Sequence, residues 1–166
     1  MAITFRALTS ADLPIFIHLR MTQLQEEGAQ ATVDLEPALW DYYRRHLADG
    51  GFAGFVAVDG AEIVGTSGLS VVEKPPYYGN LTGRIGLLSS MYTRPAYRRQ
   101  GIARSLLREA QEYAEAHDLA RLTLEVRASN VPAIALYEGM GFTRDGIRPG
   151  FYDSPKEDAA IYSYYL

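Results

Sequence analysis

The chain has 166 residues, 48% of them hydrophobic, and a formal net charge of −4, which suits one domain with a proper core. It contains no cysteine, so disulfides and zinc–thiolate sites are excluded. No apolar run is long enough to span a membrane and no signal-peptide pattern opens the chain, so a cytoplasmic protein is expected. The weakly acidic balance argues against nucleic acid as the main partner.

In chain order, Ile3 to Ala7 reads as a short strand, followed by a helix over about Leu13 to Glu27 that opens near Thr9, Ser10 and Asp12. Glu36-Pro37 starts a second helix through Trp40, Tyr43 and Leu47, with Gly50-Gly51 as its stop. Phe55 to Val58, the Asp59-Gly60 turn and Ile63 to Val72 form a predicted β-hairpin. Glu73 to Arg84, with Pro75-Pro76-Tyr77-Tyr78-Gly79-Asn80, reads as a loop. Ile85 to Thr93 is a largely apolar strand, and the helix beginning at Gly101 carries Ile102, Leu106, Ala110 and Tyr113 at helical spacing. Leu122 to Val126 alternates like a strand, and a short helix starts at Val131 behind Asn130 and Pro132. Strands near Phe142 to Tyr152 and Ala159 to Leu166 close the chain. The Ile85 strand, its helix and the Leu122 strand make one parallel β-α-β unit inside an otherwise antiparallel pattern. Residues 1–166 are therefore read as a single α/β domain without a linker.

The junction between the Ile85 strand and its helix carries the strongest chemical signal. Arg98, Arg99 and Gln100 lead into Gly101, and Arg104 follows one turn later. A helix start presents unpaired N–H groups and the positive end of its dipole, which is a ready anion site. Gly101 permits a positive φ and close backbone approach, and the arginines supply charged donors. A P-loop would need Lys and Ser or Thr after its second glycine, and a dinucleotide fingerprint would need three glycines; neither pattern occurs. Downstream, Asn130 suits a helix cap and Gly139 and Gly141 suit its end.

Arg98-x-x-Gly101-x-Ala103 resembles the acyl-CoA pyrophosphate loop of the GNAT superfamily of N-acetyltransferases. The run from Leu124 through Asn130 and Tyr137 to Gly141-Phe142 resembles the second half of the same core, and the likeness extends over nearly the whole chain. That resemblance implies an α/β fold with a mixed central sheet of about seven strands, flanking helices and two splayed parallel central strands. It also implies acetyl-CoA as co-substrate and no metal. Met91, Tyr92 and Thr93 would pair through their backbone with the pantetheine arm, and one of their N–H groups would polarise the thioester carbonyl. Arg98, Arg99, Gln100, Gly101, Ile102, Ala103 and Arg104 would surround the pyrophosphate. Asn130 would reach the CoA arm, cap its helix, or do both.

Tyr137 is the implied general acid for the departing thiolate, with simple aromatic packing as its alternative. Glu125 stands opposite in phase to Leu122, Leu124 and Val126. The stretch Leu124 to Asn130 resembles that of bacterial ribosomal-protein-alanine N-acetyltransferases, where the glutamate is the base. Its alternative is a solvated carboxylate paired with Arg127 or Arg121. Glu73 is a second candidate for the base. Thr93-Arg94-Pro95 and the Pro75 to Asn80 loop depart from that subfamily on the acceptor side.

The implied reaction transfers an acetyl group directly to a primary amine of a small molecule or peptide. A protein N-terminus is one alternative acceptor, and a non-catalytic acyl-CoA-binding sensor is an alternative function. His18, His46 and His117 have no metal-binding spacing. The paired tyrosines at Tyr42-Tyr43, Tyr77-Tyr78 and Tyr164-Tyr165 read as packing, an acceptor pocket or a subunit contact. The last strand is expected at an open edge, which would invite a homodimer.

Overall fold

A computed structural model describes residues 2–166. Seven strands form one sheet in the order β1-β2-β3-β4-β5-β7-β6, with β1 at Ile3–Ala7, β2 at Phe52–Asp59, β3 at Glu62–Glu73, β4 at Arg84–Thr93, β5 at Arg121–Arg127, β6 at Thr143–Asp153 and β7 at Lys156–Tyr165. Helices α1 (Leu13–Glu26), α2 (Glu36–Asp49), α3 (Ile102–Ala116) and α4 (Val131–Gly139) complete the α/β fold. The chain divides into two compact units, one running to Val71 and including Leu88–Glu112, the other comprising Val72–Leu87 and Tyr113–Leu166.

In the first unit β1, β2 and β3 form an antiparallel set, with Ile3 opposite Asp59 and Phe52 opposite Ser70. Pro14 near the start of α1 and Pro37 near the start of α2 fit the first helical turn, where no N–H bond is lost. Helix α1 turns Leu13, Phe16, Ile17 and Leu19 inward, and these join Tyr43, Phe52, Val56 and Ile63 in one apolar cluster. Phe16 meets Tyr43 edge-on at 5.1 Å, and Tyr43 meets Phe52 at 4.9 Å. Each such side chain contributes on the order of 2 kcal/mol of burial. Trp40 and Tyr42 pack against the same cluster. Helix α3 lies over β3 where Gly65 makes room; a Cβ there would sit 2.9 Å from Ile102 Cγ2.

The second unit is built on β5, whose Leu122, Leu124 and Val126 are buried while the alternate residues are half-buried. Its parallel register with β4 comprises Gly86↔Leu122 and Leu87↔Thr123, although β4 runs on to Thr93 and β5 to Arg127. On its other side β5 pairs antiparallel with β7 from Arg121↔Tyr165 to Arg127↔Ala159.

The closing strand is therefore not the open edge expected from its position in the chain. It lies between β5 and β6, and β6 forms the edge. Strand β7 also begins at Lys156, ahead of the expected Ala159, because the hairpin pairs Asp153 with Lys156 through polar residues. The segment between β3 and β4 is a loop, closed by Lys74 N–H to Gly83 O at 2.8 Å, with Tyr78 fully exposed at its tip. Among the described residues no helix is long and apolar enough to cross a membrane.

Candidate active site

The predicted site residues fall into two sets, one in each unit. In the first unit, β4 passes through Ser90 with φ +56°, an unusual conformation for a buried serine inside a strand. Side chains from three elements hold this stretch. Thr66 Oγ1 donates to Ser90 O at 2.8 Å, Gln23 Nε2 donates to Met91 O at 3.0 Å, and the Tyr43 hydroxyl lies 3.4 Å from Ser90 Oγ. Tyr92 turns inward and donates its hydroxyl to Glu26 Oε2 at the end of α1. Burial, then the adjacent Glu26 carboxylate, push the Tyr92 phenol up, and the Tyr92 hydrogen bond, followed by that of Arg98, pulls Glu26 below the usual carboxylate range.

Arg98 is the residue whose surroundings differ most from a simple phosphate donor. It donates to Glu26 Oε1 at 3.0 Å and to Thr93 O at 2.9 Å, and its guanidinium stands 5.4 Å from the Tyr92 ring centroid. Glu26 thus ties the end of α1 to both β4 and the arginine turn. Arg99, Gln100, Gly101 and Arg104 are exposed. Arg99 (φ +64°) and Gly101 (φ +81°) are both left-handed, and beyond Gly101 and its chain neighbours no protein atom lies within 4 Å of where a Gly101 Cβ would stand. The first helical bond of α3 runs from Ser105 N–H to Gly101 O at 3.1 Å, so the N–H groups just ahead of Ser105 have no partner within the helix. Ile102 is buried against Gly65 and Ala103 is half-buried; Ile102 offers an anion its backbone alone. The left-handed turn, open space and exposed cations fit a bound pyrophosphate.

Beside this loop lies a cavity of about 490 Å³ lined by His18, Thr22, Glu26, Glu62, Tyr92, Arg94 and Tyr97, among others. Its charges are matched locally: Arg94 stands 3.7 Å from Glu62 and donates to Ile63 O, and Tyr97 donates to Asp59 at 2.6 Å.

In the second unit, Glu125 is half-buried on β5 opposite Ile161 of β7. Arg127, one of its two expected ion partners, is bonded by Glu157 at 3.3 Å, donates to the Ser154 and Pro155 carbonyls, and stacks 4.2 Å from the Tyr152 ring. Asn130 caps α4, its side chain accepting from Ala133 N–H at 3.3 Å. Tyr137 is 7% exposed on α4, with its ring 5.7 Å from Phe142, which in turn packs 5.4 Å from Tyr164. The neighbouring Glu138 accepts from the Tyr162 hydroxyl at 2.8 Å and anchors the helix to β7. Glu125, Asn130 and Tyr137 are thus carried on rigid, mutually supported elements. The holders of β4, Gln23, Glu26, Tyr43 and Thr66, were not identified from sequence; the one available signal is polar residues on the otherwise apolar inner faces of α1 and β3.

The chain is similar to known proteins in both sequence and fold. The sequence profile of the acetyltransferase (GNAT) family matches residues 16–142. The chain is 48% identical to the [ribosomal protein bS18]-alanine N-acetyltransferase of Escherichia coli (strain K12) over 69 residues, which is 40% of this chain and about half, 47%, of that protein's length. It is 33% identical over 157 residues to N-alpha-acetyltransferase RimI of Mycobacterium tuberculosis, covering 95% of this chain and 89% of that one. Among solved structures, the predicted acetyltransferase with acetyl-CoA from Clostridium acetobutylicum superposes with a TM-score of 0.78 at 27% identity, over 86% of this chain and 90% of that one. With the profile covering well over half its length and the fold and arginine–glycine turn in place, the chain belongs to the GNAT family of acetyltransferases.

Proposed function

We propose that this protein is an acetyl-CoA-dependent N-acetyltransferase acting on the α-amine of a peptide or protein N-terminus. The observation that carries the reading is the left-handed turn at Arg99 and Gly101 opening onto the start of α3, with Arg99 and Arg104 exposed beside it. Backbone N–H groups and these cations would hold the pyrophosphate, and the backbone of Met91 to Thr93 would pair with the pantetheine arm. When bound, acetyl-CoA supplies the activated acyl group.

The chemistry assigned to the chain's own residues follows from charge. The amine nitrogen forms a bond to the thioester carbonyl carbon, the carbon–sulfur bond breaks, and the nitrogen loses a proton. Glu125 takes that proton directly or through water. Tyr137 donates one to the departing sulfur, whose thiolate character resembles that of a group with a pKa of about 8.5. A positioned acid or base of this kind contributes about 10²–10⁴-fold.

The acceptor class rests on the relatives named for ribosomal-protein-alanine and N-alpha acetylation and on amine basicity. An α-amine, with a pKa of about 8, is partly neutral at pH 7, whereas a lysine amine of about 10.4 is almost wholly protonated. A single carboxylate base therefore suits the first better.

The test is release of free CoA thiol from acetyl-CoA against peptides with different first residues, amino acids, polyamines and aminoglycosides, with Tyr137→Phe as control. Turnover on peptide α-amines, reduced about 10²-fold or more in the control while acetyl-CoA affinity is kept, is the expected result. Turnover confined to small amines would replace the acceptor, and binding without turnover on any amine would leave an acyl-CoA sensor.

A further inference from the structure

Side chains as well as strand pairing hold the segment Ser90–Tyr92, and they fix the direction of its peptide planes. In a trans peptide the C=O and the N–H point in opposite directions across the same plane. The Ser90 carbonyl is fixed by Thr66 Oγ1 at 2.8 Å, so the N–H of Met91, on the other edge of that peptide, is aimed away from Thr66. The Met91 carbonyl is fixed by Gln23 Nε2 at 3.0 Å, so the N–H of Tyr92 is aimed away from Gln23. Ser90 has φ +56°, a left-handed conformation that persists in a serine only when its surroundings enforce it. Thr66, Ser90 and Gln23 are all buried. The hydroxyl of Thr66 and the amide of Gln23 are therefore spent on the carbonyls of Ser90 and Met91, where the Met91–Thr93 stretch expected to polarise the thioester begins.

We infer that Thr66, seconded by Gln23, is a positioning residue for the backbone oxyanion donor at Met91. It acts through the Ser90 peptide and touches no substrate. This rests on the acetyl-transfer reading above. Oxyanion donors work because they are aimed before the charge develops, and a peptide plane released from its clamp can rotate, losing that aim while the strand remains in place.

The test uses Thr66→Val, which keeps the branched shape and removes the hydroxyl, with Thr66→Ser as the variant that restores it. Acetyl-CoA labelled with ¹³C at the thioester carbonyl is bound to each protein, and the carbonyl stretch is read by isotope-edited infrared difference spectroscopy. Affinity for acetyl-CoA is measured by calorimetry, and kcat is measured on the best acceptor. In the wild-type protein the carbonyl stretch is expected to move to lower wavenumber on binding. In Thr66→Val that downshift is expected to shrink and kcat to fall about 10- to 100-fold, with acetyl-CoA affinity kept within about threefold; Thr66→Ser regains both. A Thr66→Val protein that retains the downshift and kcat overturns the inference. So does one that loses affinity and heat stability together with activity, with no recovery in Thr66→Ser, since that marks a merely structural hydroxyl. Failure of the wild-type protein to bind acetyl-CoA at all is a distinct result, which overturns the acetyl-transfer reading on which the inference stands.

Discussion

Replacing Gly101 with alanine separates the anion site from the fold. Gly101 sits at φ +81°, and apart from itself and its chain neighbours no protein atom lies within 4 Å of the position a Cβ would take, so the added methyl meets no other part of the protein. The stability cost is then the left-handed strain alone, about 1–2 kcal/mol, which lowers Tm by about 2–8 °C in a domain of this size. The same methyl would occupy the open space at the start of α3, where the pyrophosphate is proposed to meet backbone N–H groups. Loss of one charge-assisted hydrogen bond, about 1.5–3 kcal/mol, weakens CoA binding by about 10- to 150-fold. Gly60→Ala is the matched control: Gly60 has φ +63° and equally open surroundings, but lies in the β2–β3 turn. Thermal denaturation and calorimetric titration with CoA on both variants make the comparison. Similar Tm losses with CoA affinity reduced in Gly101→Ala alone are expected. A Gly101→Ala protein whose Kd for CoA stays within about twofold of wild type would refute the anion site.

Three further outcomes follow from the geometry. Glu125→Gln should lower kcat on a peptide α-amine by about 10²-fold at pH 7 while leaving acetyl-CoA affinity unchanged; undiminished turnover in a stopped assay would remove Glu125 as base. Asn130→Ala should cost about 1 kcal/mol through the lost α4 cap and weaken acetyl-CoA binding, whereas Asn130→Ser recovers the stability and not the affinity, read by melting and titration. Asp12 is held at a pKa of about 2, chiefly by Arg6, whose two guanidinium bonds to it are 2.7 and 2.9 Å. Its folded pKa lies below the ordinary value of 3.8, so the stability it confers is present in full above about pH 4 and fades as pH falls through about 2. With Arg6 46% exposed, solvent screening limits that contribution to about 1–2 kcal/mol. Denaturant titration should show Asp12→Asn less stable by that amount at pH 7 and level with wild type near pH 2.

The helices and the arginine turn were legible because their signals are local: Gly101 and the apolar spacing of α3, the alternation of β5, and Asn130 and Pro132 at the start of α4. The β6–β7 hairpin was legible only in part. Lys156, Glu157 and Asp158 are polar and resemble loop, yet Lys156 and Glu157 pair with Asp153 and Tyr152 at the hairpin's outer end. That β7 lies inside the sheet is a matter of long-range pairing with β5, which no local pattern records. Ser90 was invisible for a different reason, because left-handed backbone is announced by glycine and seldom by serine. Arg98 was expected as an anion donor, but its bond to Glu26 joins residues 72 apart in the chain, and spacing alone cannot report such a pair.

The edge formed by β6 has a consequence for how the protein behaves in crowded solution. A straight edge strand offers a continuous row of backbone donors and acceptors on which a second chain can crystallise into a fibril. Strand β6 breaks that row twice, with register shifts between Arg144 and Gly146 and between Arg148 and Tyr152, and it carries Pro149, which has no N–H to offer. At the opposite end of the sheet β1 is only five residues long. The irregular register and Pro149 at one edge, and the short β1 at the other, leave little continuous backbone for a second sheet to extend.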